Sequence, residues 1–363
     1  MSTPFLSIIL TGRNDNHNGD FDRRAELAIR HNAALLNKYG VATEWIWVEW
    51  NPLADKPLFA EKLKAWVSPL RTYVVSPAIH RHCCNNPHIG VMQFLAKNVG
   101  IRRARGQWIL SMNADTYLTN EVIAAGKKDP DTLYLATRVD FDSRQLNDTP
   151  GGLEQLNVIR TSEIRLPNGF GSAGDFTLMH RDLFFKTGGH FEGIRFSNKH
   201  LDTLLGRQVL SLGGKVRVLG RVFHADHADS WNNFTLDDAF AHHHGADFNS
   251  LKIAVPYRNP DSWGLVDYPE KETATGVLEL TAPAGISLRP DIPKVPVIPS
   301  ELEGVARATE HLIEALKKAR RESLRIVIYG LGDQLRESIL KGALRDIRFV
   351  GYIDDHRASD SAL

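Results

Sequence analysis

Cysteine is scarce in this chain, and the two cysteines that it has are adjacent. Cys83 and Cys84 are the only ones among 363 residues, so they cannot build a disulfide framework, and they lack the C-x-x-C spacing of a zinc or redox site. A reducing compartment fits this usage best. His80, His82 and His88 flank the pair. A zinc site is therefore an alternative here, although adjacent thiols beside clustered histidines in a polar loop are more often incidental.

An excess of charge of one sign and a long apolar run are also missing. Lys and Arg number 44 against 43 Asp and Glu, so no long-range field would recruit nucleic acid or an acidic membrane surface. No apolar stretch approaches the roughly 20 residues that cross a bilayer. The opening residues, MSTPFLSIILTGRND, lack the basic region and cleavage site of a signal peptide. We therefore expect a cytoplasmic protein with no transmembrane segment and no nucleic-acid partner; the sequence gives no sign of its oligomeric state.

The apolar pattern predicts alternating strands and helices. The run FLSIILT over residues 5–11 ends at Gly12, and apolar residues then recur at helical spacing from Ala25 to Leu36. EWIWVEW over residues 44–50 is typical of a second strand, and a further helix precedes the strand QWILSM. Such βαβ alternation predicts an α/β fold with a mostly parallel central sheet.

Residues that directly follow a strand are the first candidates for a site, because ligands of parallel sheets bind at the carboxyl ends of the strands. Three such segments are Thr11–Asp15, Glu49–Asn51 and Asn113–Asp115. A later strand, KVRVLGRVFH, ends at His224. We expect these segments to converge on one edge of the sheet.

Proline density divides the chain. Five prolines lie between residues 283 and 299, a density typical of an extended linker. We predict a first domain over residues 1–265, a linker over 266–299 and a C-terminal segment over 300–363. In that segment Ser300 and Glu303 form a capping box for a helix, and RIVIYGLGD begins a strand and a glycine turn. This imperfect dinucleotide fingerprint indicates a short Rossmann-like βαβ unit.

The strand ends offer groups for the transfer of a sugar from a nucleoside diphosphate. That reaction requires a nucleotide site, a cation for the leaving diphosphate and a base for the acceptor hydroxyl. Asp115 is a hard oxygen ligand suited to Mn²⁺ or Mg²⁺, and His224 is a further candidate ligand. Lys97 is a candidate for contacting the diphosphate. Each has an ordinary alternative as a turn or cap residue, a half-buried histidine or a solvated lysine.

The stretch AKNVGIRRARGQWILSMNADT resembles the helix, A-R-G turn and metal-binding D-x-D strand end of inverting, family 2 glycosyltransferases with the GT-A fold. The likeness covers about residues 5–230. Asp115 matches the last acid of D-x-D, whereas Asn113 replaces the first. VFHADHADSW is similar to the family's late histidine strand end, where His224 matches best and His227 is the near alternative. The resemblance implies a GT-A fold with a Mn²⁺ or Mg²⁺ site at Asp115 and His224.

The same resemblance implies roles for further residues. SIILTGRND and EWIWVEWN are similar to the family's nucleotide loop and its second strand, whose terminal acid contacts the nucleotide. HLDTLLGRQVLSLGG resembles the segment that carries the general base, for which Asp202 is the match, and Asp175 is the second choice. The implied nucleotide-sugar site, with Lys97 added from the reasoning above, consists of Thr11, Gly12, Arg13, Asn14, Glu49, Lys97 and Asn113.

These residues together predict a metal-assisted glycosyltransferase of the hexosyltransferase type. It would move a sugar from a nucleoside-diphosphate-sugar donor to a carbohydrate or other hydroxyl acceptor with inversion, with Asp202 taking the acceptor proton. Three alternatives stay open. They are a catalytically weak sugar-nucleotide-binding module in which Asn113 has cost the metal site, a nucleotidyltransferase, and a dehydrogenase built on the C-terminal glycines.

Overall fold

The structure is a computed structural model. It describes residues 4–87, 89–125, 128–142, 145, 153, 156–162, 164, 173–195, 198, 201–226, 258–291, 318, 322, 326–329 and 349–353. Most of the predicted C-terminal helix after Ser300 lies outside these ranges, although Lys318 is described and helical. The glycine turn after residue 329, His88 and His227 also lie outside them.

The first third of the chain alternates strands and helices, as the apolar pattern predicts. Its elements are β1 (Leu6–Gly12), α1 (Phe21–Lys38), β2 (Thr43–Trp50), α2 (Phe59–Leu63), β3 (Leu70–Val75), α3 (Pro77–Cys83), α4 (Gln93–Arg103) and β4 (Trp108–Met112).

Shorter elements and two long strands follow. They are β5 (Thr116–Tyr117), α5 (Asn120–Ala124), β6 (Thr132–Asp142), β7 (Val158–Ser162), β8 (Phe176–His180), α6 (Arg181–Thr187), α7 (Leu201–Ser211), β9 (Lys215–Asp226), β10 (Glu270–Glu272), β11 (Leu278–Leu280), β12 (Ile326–Tyr329) and β13 (Phe349–Ile353).

One large sheet has the strand order β10-β11-β3-β2-β1-β4-β8-β6-β9-β5. Strand β7 pairs with the C-terminal half of β6. The five consecutive strands β11, β3, β2, β1 and β4 are mutually parallel. Strand β8 runs antiparallel between β4 and β6, and β9 is parallel to β6. The prediction of an α/β fold with a mostly parallel central sheet is confirmed.

Apolar side chains alternate between the two faces of this sheet. On one face Ile9 and Val48 pack in a core with Val99 of α4, and on the other Ile8 and Trp47 pack with residues of α1. Burial on both faces is what produces near-continuous apolar strands such as LSIILTG. With helices covering both faces, the carboxyl ends of β1, β2 and β4 are left at one edge.

The first half of the segment predicted as a linker, residues 266–299, contains two strands. Strand β10 pairs with β11, and β11 pairs with β3, so residues 270–280 extend the sheet. The sequence LEL of β11 alternates in burial, and Leu280 is buried. The proline count that indicated a linker applies only from residue 283 onward. The domain boundaries themselves stay a prediction.

The chain divides into two compact units. One comprises Met1–His227 with Phe248–Lys294, and the other comprises Ala228–Asp247 with Val295–Leu363. In the second unit β12 and β13 pair in parallel. The helix of the predicted βαβ unit falls outside the described residues, and that unit stays a prediction. Among the helices that the structure describes, none combines the length and apolarity needed to span a membrane.

Candidate active site

Asp115 and His224 meet at the end of β4. The tripeptide Asn113–Asp115 leaves β4 and enters the two-residue strand β5, which pairs antiparallel with β9 so that Thr116 lies opposite His224. This pairing brings His224 Nε2 to 3.5 Å from Asp115 Oδ2. Both side chains are buried. The two residues predicted as metal ligands are therefore neighbours.

The other ring nitrogen of His224 is held by Asp140. These two residues occupy matching positions of the parallel strands β9 and β6, and Nδ1 lies 3.0 Å from Asp140 Oδ1. Burial disfavours the charged ring, but the carboxylates of Asp115 and Asp140 outweigh burial and raise the pKa of His224 to about 9. Arg138 Nη2 lies 3.0 Å from the same Nδ1 and opposes this rise in the pKa.

Arg24 of α1 is a third partner in this group. It is fully buried, and its Nε donates to Asp115 Oδ2 at 3.3 Å, while its Nη1 pairs with Asp20. The sequence pattern does not single out this residue, because an arginine near the start of an amphipathic helix ordinarily faces solvent. Its burial follows from the position of α1 above β5.

The Asp115–His224 pair fits a divalent cation. One carboxylate oxygen and one imidazole nitrogen face each other, and a carboxylate on the second ring nitrogen is the usual way to orient a metal-binding histidine. No cluster of three or more His, Cys, Asp or Glu residues that could hold a metal occurs within the described ranges. Further ligands would then come from diphosphate oxygens and water, as is common for Mg²⁺.

A second group lies where β4 meets β8. Met112 is opposite Phe176 in this antiparallel pair, which places Asn113 beside Asp175, and Asn113 Nδ2 donates to Asp175 Oδ1. Asn113 Oδ1 accepts hydrogen bonds from Lys97 Nζ at 2.9 Å and Gln93 Nε2 at 2.6 Å. The amide of Asn113 therefore has partners at both ends.

Lys97 is one of the most completely buried side chains of the protein. Its Nζ also donates to the carbonyl of Gly174 at 2.6 Å. Burial lowers the pKa of Lys97 to about 8, against the opposing effect of the carboxylates of Asp175 and Asp202. The predicted lysine thus lies inside the site rather than on a solvated helix face.

Arg138 of β6 connects the two groups. Its Nε donates to Asp140 Oδ1 at 2.7 Å and its Nη1 donates to Asp175 Oδ2 at 3.0 Å. Although burial opposes it, the two carboxylates hold the pKa of Arg138 above its usual range. Hydrogen bonds from His224 and the charge of Arg138 likewise overcome burial and hold the pKa of Asp140 below its usual range.

Asp202 lies in the first turn of α7, next to the same groups. Its Oδ2 accepts a hydrogen bond from the backbone N–H of Gly174 at 2.9 Å, and its Oδ1 accepts one from the N–H of Thr203 at 2.8 Å. Gly174 thereby joins Asp202 to Lys97. Asp202 therefore both binds a backbone N–H at the start of α7 and contacts the residues of the site.

The nucleotide-binding residues predicted after β1 and β2 lie at the ends of those strands and bond to the following loop. Arg13 Nε donates to the carbonyl of Asn51 at 2.7 Å. Asn14 Nδ2 donates to the carbonyl of Leu53 at 3.0 Å, and Asn14 Oδ1 accepts from the N–H of the same residue. Thr11 and Gly12, both partly exposed, end β1. These residues shape the loop that follows β2.

Glu49 is fully buried at the end of β2. Its Oε2 accepts hydrogen bonds from Trp47 Nε1 at 2.7 Å and from the N–H of Ala60 at 3.1 Å, whereas Oε1 is buried without a hydrogen-bond partner. Burial outweighs these hydrogen bonds and raises the pKa of Glu49 to about 7.

No protein-family model and no curated protein matches the chain. Solved structures do match it. S. aureus TarS 1–349 is 13% identical and has a TM-score of 0.40, with 69% of this chain and 66% of that chain covered. In a larger S. aureus TarS structure, this chain spans 35% of the length.

Two further matching structures are named as transferases. A mutant Drosophila β1,4-galactosyltransferase 7 in complex with manganese, UDP-Gal and xylobiose is 13% identical, covers 80% of this chain and 97% of its own, and has a TM-score of 0.39. The inositol-1-phosphate CTP transferase of T. maritima is 10% identical, covers 62% and 91%, and has a TM-score of 0.37. Likenesses this distant assign no activity to this chain.

The cysteine pair has structural partners of its own. Trp50 Nε1 donates to His80 Nδ1 at 2.9 Å, and Cys84 Sγ lies 3.1 Å from the carbonyl oxygen of Asn86. Burial raises the pKa of Cys83 to about 12, which disfavours the thiolate that zinc would require. Cys83 and Cys84 are buried in the core at the end of α3 and do not lie in the polar loop that the sequence suggested.

The residues that sequence reasoning missed are Arg24, Arg138 and Asp140. The last two had a detectable signal. In TLYLATRVDFD they are oppositely charged residues two positions apart in a mostly apolar strand, and that spacing places both side chains on one face. Two buried opposite charges on one face indicate a polar network.

Proposed function

We propose that the first unit is a GT-A glycosyltransferase that moves a sugar from a nucleoside-diphosphate-sugar to an acceptor hydroxyl with inversion. The observation that carries this proposal is the meeting of Asp115 Oδ2 and His224 Nε2 at 3.5 Å, at the carboxyl end of a central parallel strand. Ligands of such sheets bind at that edge. A carboxylate and an oriented imidazole there suit the cation of a diphosphate leaving group.

Asp115 and His224 would hold Mn²⁺ or Mg²⁺. The bound cation supplies positive charge to the leaving diphosphate. His224 would ligate through Nε2, and Asp140 would orient the ring from the Nδ1 side. Arg24 beside Asp115 offsets part of that carboxylate's charge.

Asp202 is the proposed general base, with Asp175 second. Asp175 accepts from Arg138 at one oxygen and from Asn113 at the other, so both oxygens are engaged and one faces a cation. Asp202 accepts hydrogen bonds from the backbone N–H groups of Gly174 and Thr203, which fix its carboxylate at the start of α7 beside Asp175.

The nucleotide would lie along the ends of β1 and β2, against residues 11–14 and Glu49. Glu49 lies near the end of β2, where the family resemblance implies a contact with the nucleotide. Lys97, deeper in the site, would contribute positive charge near the diphosphate.

The test is donor binding and turnover with and without Mn²⁺. Nucleoside diphosphates and a panel of nucleotide-sugars are added to the full chain, and the melting temperature and sugar release are measured. A ligand of the folded state stabilises by RT ln(1 + [L]/Kd), so Mn²⁺ together with the correct nucleotide should raise the melting temperature. Asp115→Asn should abolish the part of this rise in melting temperature that depends on Mn²⁺. It should also lower turnover by about 100-fold or more.

Asp182→Asn is the matched control, because Asp182 is a strongly exposed carboxylate on α6. It should leave both readouts unchanged. Equal nucleotide binding with and without Mn²⁺, together with no turnover of any donor, would refute the enzyme proposal.

A catalytically weak sugar-nucleotide-binding module is the second candidate. It is favoured by the hydrogen bonds that Asn113 Oδ1 accepts from Lys97 and Gln93, because an oxygen bound in this way is less available as a metal ligand. Metal-independent binding without turnover in the same assay is the result that would select this candidate. Incubation with a nucleoside triphosphate and a sugar phosphate tests the nucleotidyltransferase alternative alongside.

A further inference from the structure

We infer that Asn113 is a positioning residue for Asp175 and not the remnant of a metal ligand. In this view the amide at position 113 is matched to the carboxylate on the neighbouring strand, and restoring an aspartate there would harm the site. The inference about metal binding rests on the proposed function; the inference about the Asn113–Asp175 pair does not.

Strand pairing places the two side chains together. The ladder between β4 and β8 continues beyond Met112 and Phe176, because the N–H of Asn113 donates to the carbonyl of Asp175 at 3.3 Å. Directly opposite residues of an antiparallel pair carry side chains on the same face of the sheet. Asn113 Nδ2 donates to Asp175 Oδ1 on that face.

The surroundings of Asn113 require both a donor and an acceptor. Its Nδ2 faces a carboxylate, while its Oδ1 receives the ammonium of Lys97 and the amide N–H of Gln93. An amide side chain supplies both functions, whereas an ionised carboxylate only accepts. Asparagine at position 113 therefore satisfies the hydrogen bonding of Asp175, Lys97 and Gln93 together, and aspartate would not.

The same hydrogen bonds fix Asp175. Asn113 binds one of its oxygens and Arg138 Nη1 binds the other at 3.0 Å, and Asp175 is only 7% exposed. With aspartate at position 113, two carboxylates would face each other at hydrogen-bond distance. Two cations lie nearby, Lys97 at 2.9 Å from Oδ1 of residue 113 and Arg138 at 3.0 Å from Oδ2 of Asp175. Each reaches the oxygen that faces away from the pair, so the repulsion between the two facing oxygens would remain.

A double-mutant cycle tests the pairing without reference to activity. The variants are Asn113→Asp, Asp175→Asn and the double variant, which exchanges the two side chains. In the exchanged pair, the amide at position 175 can accept from Arg138 and donate to the carboxylate at position 113, which still accepts from Lys97 and Gln93. Each single change should lower the melting temperature by about 5 °C, and the double variant should lie within about 2 °C of wild type.

Asn37→Asp is the control for the added charge, because Asn37 is exposed near the end of α1. It should shift the melting temperature by about 1 °C or less. If the melting temperature of the double variant falls by the sum of the two single decreases, the inferred pairing is wrong.

Mn²⁺ titration separates positioning from a lost metal ligand. The proposal expects the Kd of Mn²⁺ for Asn113→Asp to stay within about threefold of wild type, and donor hydrolysis to fall. Tenfold tighter Mn²⁺ binding with faster hydrolysis would show instead that position 113 is a weakened metal ligand. If wild type turns over no donor, the glycosyltransferase proposal fails, and the melting-temperature cycle still decides whether Asn113 positions Asp175.

Discussion

Replacing Glu49 with glutamine is expected to remove a pH-dependent loss of stability. The carboxyl group is fully buried, and two hydrogen bonds, from Trp47 and Ala60, reach only its Oε2. Because burial disfavours the charged form more than these bonds favour it, the pKa of Glu49 rises from 4.5 to about 7. Ionisation of Glu49 therefore opposes folding.

The pH window and the magnitude follow from this difference in pKa. As the pH rises, the unfolded chain releases the proton of Glu49 before the folded chain does. The stability that neutral Glu49 contributes is thus complete below about pH 4.5 and is lost between pH 4.5 and about 7. A pKa difference of about 2.5 corresponds to about 3 kcal/mol in the free energy of unfolding, at about 1.4 kcal/mol for each unit.

The assay is urea unfolding of wild type and Glu49→Gln between pH 4.5 and 8, followed by tryptophan fluorescence. Other titrating groups are common to both proteins and cancel in the difference between their free energies of unfolding. That difference should change by about 3 kcal/mol in favour of the glutamine variant as the pH rises. Glu61→Gln, an exposed residue of α2, controls for the loss of one carboxylate. A difference that stays constant across the range would refute the argument from burial.

Two further substitutions test the packing of the site. Asp140→Asn removes the carboxylate that Arg138 and His224 share, and it should cost about 3 to 5 kcal/mol in thermal unfolding; a loss below about 1 kcal/mol would mean that the network adds little. Gly12→Ala would place a Cβ 2.5 Å from Cη2 of Trp47, and urea unfolding should show a loss of about 1 to 3 kcal/mol. An unchanged urea midpoint would show that the indole moves aside at no cost.

The order of strands and helices was predictable because it depends on local periodicity. Apolar residues of LSIILTG and TEWIWVEW are buried on both faces of a parallel sheet, and such runs are visible without knowledge of any neighbour. The predicted placement of Asp115 and His224 at strand ends was of the same kind, since a strand ends where its pattern ends. Their closeness followed from the general rule that ligands bind at one edge of such a sheet.

What the sequence by itself determined is therefore the α/β alternation and the strand-end acids and histidine. Only the tertiary structure decided which of them touch. Asn113 meets Asp175 through the antiparallel pairing of β4 with β8, and His224 meets Asp140 through the register of β9 on β6. These pairs are 62 and 84 residues apart in the chain. Local patterns carry no information on pairing at that separation, because strand order and register are set by how the whole sheet buries its two faces.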